Sequence, residues 1–187
     1  MTVPNLITSI RIILVPIFAI YLINDRRSAA LVVFVVAGLS DAADGFIARL
    51  FDQKSRLGSY LDPLADKILL VTAFVVLSAR HGMPVWLSVV VISRDILILL
   101  GVLILFLSET EFTIRPSVLS KATTCAQIAT VFTALSRQYI PFSAGVMTYA
   151  CPVTGALTIA SGLHYMRYWF GIMGEDAPGG RKKDPDA

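Results

Sequence analysis

Charge is scarce in this chain: of 187 residues only 16% are Asp, Glu, Lys or Arg, against 56% hydrophobic. With a mean hydropathy of +0.73, the composition lies outside that of ordinary soluble domains. Cysteine and histidine are scarce too, with two of each. Cys125 and Cys151 lack C-x-x-C spacing, and His81 and His164 stand far apart in sequence. Neither a disulfide framework nor a zinc site is therefore expected, and both cysteines read as small, buried apolar residues. There is no internal repeat. A net charge of +3 gives no sign of nucleic-acid binding; basic loops attracted to anionic lipid account for it.

Long apolar runs fill the space that charge leaves. They cover 5–23, 28–49, 58–80, 84–107, 118–139 and 142–168, each of the ~20 residues that a membrane-spanning helix needs. The expected fold is all-α, a polytopic bundle of six transmembrane helices over residues 1–173, followed by a polar, disordered tail over 174–187. Six spans use about 120 residues, so chemistry has to occur inside or at the rim of the bundle. The first run carries Arg11 and no small-residue cleavage pattern, so it reads as a retained helix rather than a signal peptide. With the amino terminus inside, nine basic residues flank the inner ends of the spans and four the outer ends, as the positive-inside bias requires. Without an organelle-targeting extension, a bacterial plasma membrane is the expected location.

Against this background, Asp41, Asp44, Asp62 and Asp66, four of the five aspartates in one 26-residue window, need a physical reason. A carboxylate near hydrocarbon costs at least ~2.5 kcal/mol unless it faces water, a counter-charge or a metal. On a helix, Asp41, Asp44, Gly45 and Ala48 share an arc of roughly 100°, with Arg49 at its edge. Asp62 and Asp66 stand one turn apart on the next helix, and Gly58 extends their stripe. Two antiparallel helices can turn these stripes towards each other, and the carboxylates would repel unless a cation lay between them. Hard oxygen donors suit Mg²⁺, Mn²⁺ or Ca²⁺, one or two ions, rather than zinc or copper. Gly45, Ala48 and Gly58 leave room for a ligand against the backbone, although small residues also serve simple helix packing. Arg49 offers a planar fork of donors to a phosphate. Pro63 permits a second reading of Asp62, as the N-cap of a helix starting at Pro63.

The string Asp41-x-x-Asp44-Gly45-x-x-Ala48-Arg49, eight residues, Gly58-x-x-x-Asp62-x-x-x-Asp66 matches every fixed position of the CDP-alcohol phosphotransferase signature. The resemblance includes Pro4-Asn5-Leu6-Ile7-Thr8-x-x-Arg11 and reaches, more weakly, to about Tyr168. It implies a six-helix membrane enzyme, usually a homodimer, that moves a substituted phosphoryl group from a CDP-linked donor to an alcohol and releases CMP. It further implies that Asp41, Asp44 and Asp62 hold Mg²⁺ or Mn²⁺ on the donor pyrophosphate. Asp66, also close to the metals, takes the proton of the attacking hydroxyl. Gly45, Ala48, Arg49 and Gly58, together with Asp41, shape the donor site. Such roles agree with the chemistry: cations neutralise the leaving pyrophosphate oxygens, and a positioned carboxylate contributes roughly 10² to 10⁴-fold as a base.

Acceptor choice lies outside the signature. Arg94 in the fourth run either faces the cavity or pairs with its neighbour Asp95; Arg115 and Lys121 either bind an acceptor phosphate or are solvated charges of the inner face. These positions resemble the branch that makes anionic glycerophospholipids from CDP-diacylglycerol. Within it, glycerol 3-phosphate is the first-ranked acceptor and phosphatidylglycerol, used by CMP-forming cardiolipin synthases, stands close behind. Arg94-Asp95 and Lys121-x-Thr123 depart from the Arg-Glu and paired Lys of the glycerophosphate enzymes and lean the other way. An aromatic prenyltransferase would fit Asp62-x-x-x-Asp66 alone but not the first motif. A cation channel or transporter would need acids in the other half of the bundle too.

The two aspartate roles separate experimentally. Asp66→Asn is expected to abolish turnover while leaving donor binding intact, and Asp44→Ala to lose metal-dependent donor binding; equilibrium binding of the CDP-linked donor with and without Mn²⁺ checks both.

Overall fold

The computed structural model describes residues 3–51, 58–107, 117–140 and 143–175. They form six helices: α1 (Val3–Ile23), α2 (Arg27–Phe51), α3 (Gly58–Ala79), α4 (Val85–Leu107), α5 (Val118–Ser136) and α6 (Ser143–Glu175). The expected all-α class is observed, with no strand among the described residues. Helix α5 stops at Ser136, three residues before its apolar run does, whereas α6 continues to Glu175 and takes in two residues read as tail. Residues 176–187, the rest of that tail, lie outside the described residues.

Each helix presents one face to a shared core. Val15, Phe18 and Leu22 of α1 recur at helical spacing and meet Ala30, Phe34 and Ala37 of α2, with the Phe18 and Phe34 ring centroids 5.9 Å apart. Leu70, Ala73, Phe74 and Leu77 form the matching face of α3, where i, i+3, i+4 and i+7 lie on one side. Helix α1 packs against both α2 and α3, and so does α5.

Two helix ends explain how the chain reverses so tightly. At the end of α1, Asp25 takes φ 56° and Arg26 N–H donates to Tyr21 O at 2.9 Å. At the end of α3, His81 takes φ 54° and Gly82 N–H donates to Leu77 O at 2.7 Å. Both are left-handed caps with the six-to-one hydrogen bond of a Schellman motif, formed without the usual glycine at the turning position.

Contacts along the sequence give the helix directions. Lys67 meets Asp95 and Phe74 O meets Ser88, so α3 and α4 run antiparallel. Thr123 reaches Leu157 O and Thr130 pairs with Thr154, so α5 and α6 do too. Helices α4 and α6 instead run parallel at a steady offset: Trp86 sits over Gly155, Arg94 lies against Gly162, and Trp169 covers Gly101. The two rings occupy space that side chains would fill. A Cβ at Gly101 would fall 2.1 Å from Trp169, and one at Gly155 2.6 Å from Trp86.

Alongside this apolar core, polar side chains are buried and large apolar ones exposed more than a water-soluble bundle would have them. Thr123, Gln127, Thr130, Thr154, Thr158 and Ser161 are buried, whereas Ile13, Ile20, Leu39, Val89, Leu99, Val153 and Leu163 are exposed. The buried hydroxyls satisfy one another or backbone carbonyls: Thr130 and Thr154 Oγ1 lie 2.7 Å apart, Thr123 donates to Leu119 O and Leu157 O, and Thr158 donates to Thr154 O. Gln127 adds a longer link to Thr158 Oγ1 at 3.4 Å. Two helical segments among the described residues, Val118–Ser136 and Gly145–Arg167, are long and apolar enough to cross a membrane. Both cysteines are free; Cys151 is buried as expected, but Cys125 is exposed. The outer face of α5 is itself apolar, carrying Ile128 and Phe132, so a small apolar thiol suits that face as well as the interior.

Gly101→Ala is expected to destabilise the protein by about 1–3 kcal/mol, the usual consequence of overpacking against a fixed ring. Gly145→Ala, where a Cβ meets nothing within 4 Å, is expected to leave the unfolding midpoint in detergent unchanged or slightly raised.

Candidate active site

All eight fixed positions of the aspartate signature are helical. Asp41, Asp44, Gly45, Ala48 and Arg49 occupy the C-terminal half of α2, and Gly58, Asp62 and Asp66 the first turns of α3. Six residues join the two helices, so at ~3.3–3.6 Å per residue the signature-bearing ends cannot separate by more than about 25 Å. Their side chains lie outside the described residues, and so does Arg115. Because α3 begins at Gly58, Asp62 stands inside the helix rather than capping it. The N-cap reading is overturned: Pro63 does not start the helix, which begins five residues earlier. Four carboxylates spaced i, i+3 on one helix and i, i+4 on the next would offer only oxygen donors, the kind that suit Mg²⁺ or Mn²⁺. Elsewhere among the described residues, no group of three or more His, Cys, Asp or Glu is placed to hold a metal.

Beside the signature lies a buried ionic network whose central member is Asp95. Its Oδ1 accepts from Lys67 Nζ at 2.5 Å and from Arg94 Nη1 at 2.7 Å. Arg94 Nη2 donates to Ser120 Oγ at 2.8 Å and to Ser161 Oγ at 2.9 Å. The guanidinium also sits 5.8 Å from the centroid of the Tyr165 ring, within cation–π range. Arg94 and Asp95 are 5% and 7% exposed, so water supplies little screening. Two bonds to one oxygen keep the Lys67 and Arg94 nitrogens within about 5 Å of each other, where two unit charges repel by about 3 kcal/mol at an effective dielectric of about 20. The Asp95 carboxylate is what makes that proximity tolerable.

Local sequence explains each position. Ser117 caps α5 by accepting from Ser120 N–H at 3.1 Å, which fixes the residue whose hydroxyl receives Arg94. Gly162 leaves the Arg94 stem only ordinary contacts, its virtual Cβ falling 3.6 Å from Arg94 Cγ. Arg94 therefore follows the paired reading: its terminal nitrogens are engaged inside the bundle, and its buried Nε has no partner among the described residues. Lys121, one residue beyond Ser120, is exposed. Lys67, Ser120, Ser161 and Tyr165 were not singled out by sequence reasoning. The position of Lys67 directly after Asp66 was the available signal. The cavity of about 720 Å³ among the described residues lies at the opposite end, lined by His81, Met83, Trp86, Arg137 and Met147 among others, far along α3 from Asp62 and Asp66.

The sequence profile described as CDP-alcohol phosphatidyltransferase matches residues 1–162. The chain belongs to that family. Among relatives, it is 33% identical over 186 residues to the CMP-forming cardiolipin synthase of Rattus norvegicus and 34% identical over 184 residues to that of Homo sapiens. Each alignment covers 89% of this chain and 61% of the relative, so the chain spans about three-fifths of their length. It is also 41% identical over 104 residues to the CDP-diacylglycerol–glycerol-3-phosphate 3-phosphatidyltransferase of Pseudomonas fluorescens, covering 52% of this chain and 53% of that enzyme. Family membership displaces the prenyltransferase and channel readings.

Within this member of the family, Arg94→Met is expected to destabilise the fold by about 3 kcal/mol, because it strands a buried carboxylate with a single partner. Lys121→Gln, at an exposed position, should stay within about 0.5 kcal/mol of the parent. Thermal unfolding in detergent compares the two.

Proposed function

We propose that this protein transfers the phosphatidyl group of CDP-diacylglycerol to the hydroxyl of an alcohol, releasing CMP. The observation that carries this reading is the complete signature on the adjoining ends of α2 and α3, in a chain that belongs to the family. Asp41, Asp44 and Asp62 would hold Mg²⁺ or Mn²⁺, one or two ions, which when bound neutralise the pyrophosphate oxygens. Asp66, farthest from the interhelical loop, takes the acceptor's proton as its oxygen attacks the phosphatidyl phosphorus; the bond to the CMP oxygen breaks, and CMP leaves. Gly45, Ala48 and Gly58 leave the donor room against the helices, and Arg49 binds its phosphate.

Phosphatidylglycerol is the acceptor that the chain supports best. The similarity to CMP-forming cardiolipin synthases runs over 89% of this chain, whereas the glycerophosphate enzyme matches 52%. The Asp95 network points the same way. Lys67, Arg94 and Asp95 together carry a single net positive charge, suited to a singly charged lipid phosphate more than to the doubly charged glycerol 3-phosphate. Lys121, and Arg115 just before α5, are the cations proposed to meet that phosphate, with Arg94 behind them. Glycerol 3-phosphate stands as the second reading, on the strength of the Pseudomonas fluorescens relative.

The bundle is proposed to lie in a membrane, with all six helices spanning and the signature at the inner, cytoplasmic face. The shortest helix, with 19 residues, is ~29 Å long, close to the ~30 Å hydrocarbon thickness. Exposed Ile, Leu and Val over buried Thr and Ser is the pattern that lipid selects. A bacterial plasma membrane and a homodimer complete the proposal.

Protein purified in detergent with Mn²⁺ or Mg²⁺ and CDP-diacylglycerol, offered phosphatidylglycerol, glycerol 3-phosphate, inositol phosphate or serine separately, tests the activity through CMP release and the product lipid. Cardiolipin is the expected product. Phosphatidylglycerophosphate as the main product would exchange the two acceptor readings, and no CMP release with any alcohol would overturn the transfer reaction itself.

A further inference from the structure

We infer that Asp95 is a positioning residue for the transfer site, acting through Lys67 on the helix that carries Asp62 and Asp66. The inference rests on reading the signature as a phosphatidyl-transfer site, but it concerns residues outside that signature. Lys67 follows Asp66 directly in α3, so any rotation or slide of the helix that moves one moves the other. Its ammonium is fastened by the Asp95 Oδ1 of α4, which also holds Arg94. Arg94 is in turn held by Ser120 of α5 and Ser161 of α6. One carboxylate oxygen thus connects the signature end of α3 to three other helices at a single level of the bundle.

Among the described side chains, which in α3 begin at Lys67, no other polar link ties this part of the helix to its neighbours. The remaining polar contacts of α3 with α4, between Ser78 and Ser88 and from Ser88 Oγ to Phe74 O, lie at the far end. Apolar packing through Leu69 and Leu70 is non-directional and resists rotation about the helix axis weakly. An ion pair to a fixed, buried acceptor resists it well, because the acceptor sits in one place and the lysine stem must reach it. The chemistry is sensitive to such rotation: a displacement of about 1 Å at a reacting group can lower the rate ~10²-fold. Asp95 need not touch donor, acceptor or cation to govern where Asp62 and Asp66 point.

The test uses the full chain in detergent or nanodiscs with Asp95→Asn, Lys67→Met, Lys67→Arg and the double variant Lys67→Met with Asp95→Asn. Positioning predicts that Asp95→Asn and Lys67→Met each lower kcat by ~10-fold or more, with the KM for CDP-diacylglycerol within about twofold of the parent. Lys67→Arg, which can still pair with Asp95, should recover to within about threefold, and the double variant should fall no lower than the worse single one, as expected for two members of one contact. Mn²⁺ affinity, read by electron paramagnetic resonance without donor or acceptor, should weaken by about threefold or more in both single variants. A kcat and an Mn²⁺ affinity that both stay within about twofold in Lys67→Met, or losses that multiply in the double variant, would overturn the inference. If Asp95→Asn does not fold, Lys67→Met, at a side chain 36% exposed, carries the test alone. An inactive parent would sink the transfer reading and leave the Mn²⁺ comparison to decide this one.

Discussion

One carboxylate oxygen, Oδ1 of Asp95, accepts two cations from two helices inside an apolar bundle. Placing Lys67 and Arg94 so close without it would be strongly unfavourable, and placing Asp95 there without them would bury a bare charge. The three residues are thus interdependent, and the other contacts at this level are arranged around them. Ser117 caps α5 so that Ser120 faces Arg94, Ser161 closes the guanidinium from α6, and the arginine stem lies against Gly162. An ion network of this kind adds little net stability compared with well-packed apolar residues. What it provides at this level of the bundle is direction, where the other contacts of α3 are apolar and non-directional.

The rest of the bundle follows a complementary rule, with polar groups turned inward and paired. Thr123, Thr130 and Thr154 knit α5 to α6 by hydrogen bonds to one another and to backbone carbonyls, and Gln127 donates across to Thr158, while branched apolar side chains cover the outside. In an apolar surrounding there is no hydrophobic drive to bring helices together, so small residues, close packing and interhelical hydrogen bonds take its place. The Trp-over-glycine contacts between α4 and α6 belong to the same economy of shape.

Much of the fold was legible in the sequence because helix boundaries coincide with changes in composition. The runs at 58–80 and 84–107 differ from α3 and α4 by one residue at an end. Where the two diverge, the apolar pattern continued past a backbone decision: residues 137–139 remain amphipathic after α5 has ended, and Gly174 and Glu175 are polar yet helical. The signature was legible because chemistry fixes both residue type and spacing there. Its placement inside α3 was less so, since Pro63 offered a plausible start that the helix passes over. The Asp95 network stayed partly hidden. Arg94 and Asp95 advertise themselves as neighbours, but Lys67, Ser120 and Ser161 come from three other helices, and no local pattern records which hydroxyl a distant guanidinium will choose.

The parallel alignment of α4 with α6 bears on how the chain assembles. Gly101 leaves a notch in α4 that Trp169 covers, and Gly155 of α6 receives Trp86 from the beginning of α4. During synthesis α4 emerges well ahead of α6, so its notch stays vacant until α5 has crossed back and the final helix has come far enough to deliver residue 169. The α4–α6 seam can therefore close along its full length only once residue 169 has been made, and a chain halted before that point lacks the ring that covers Gly101.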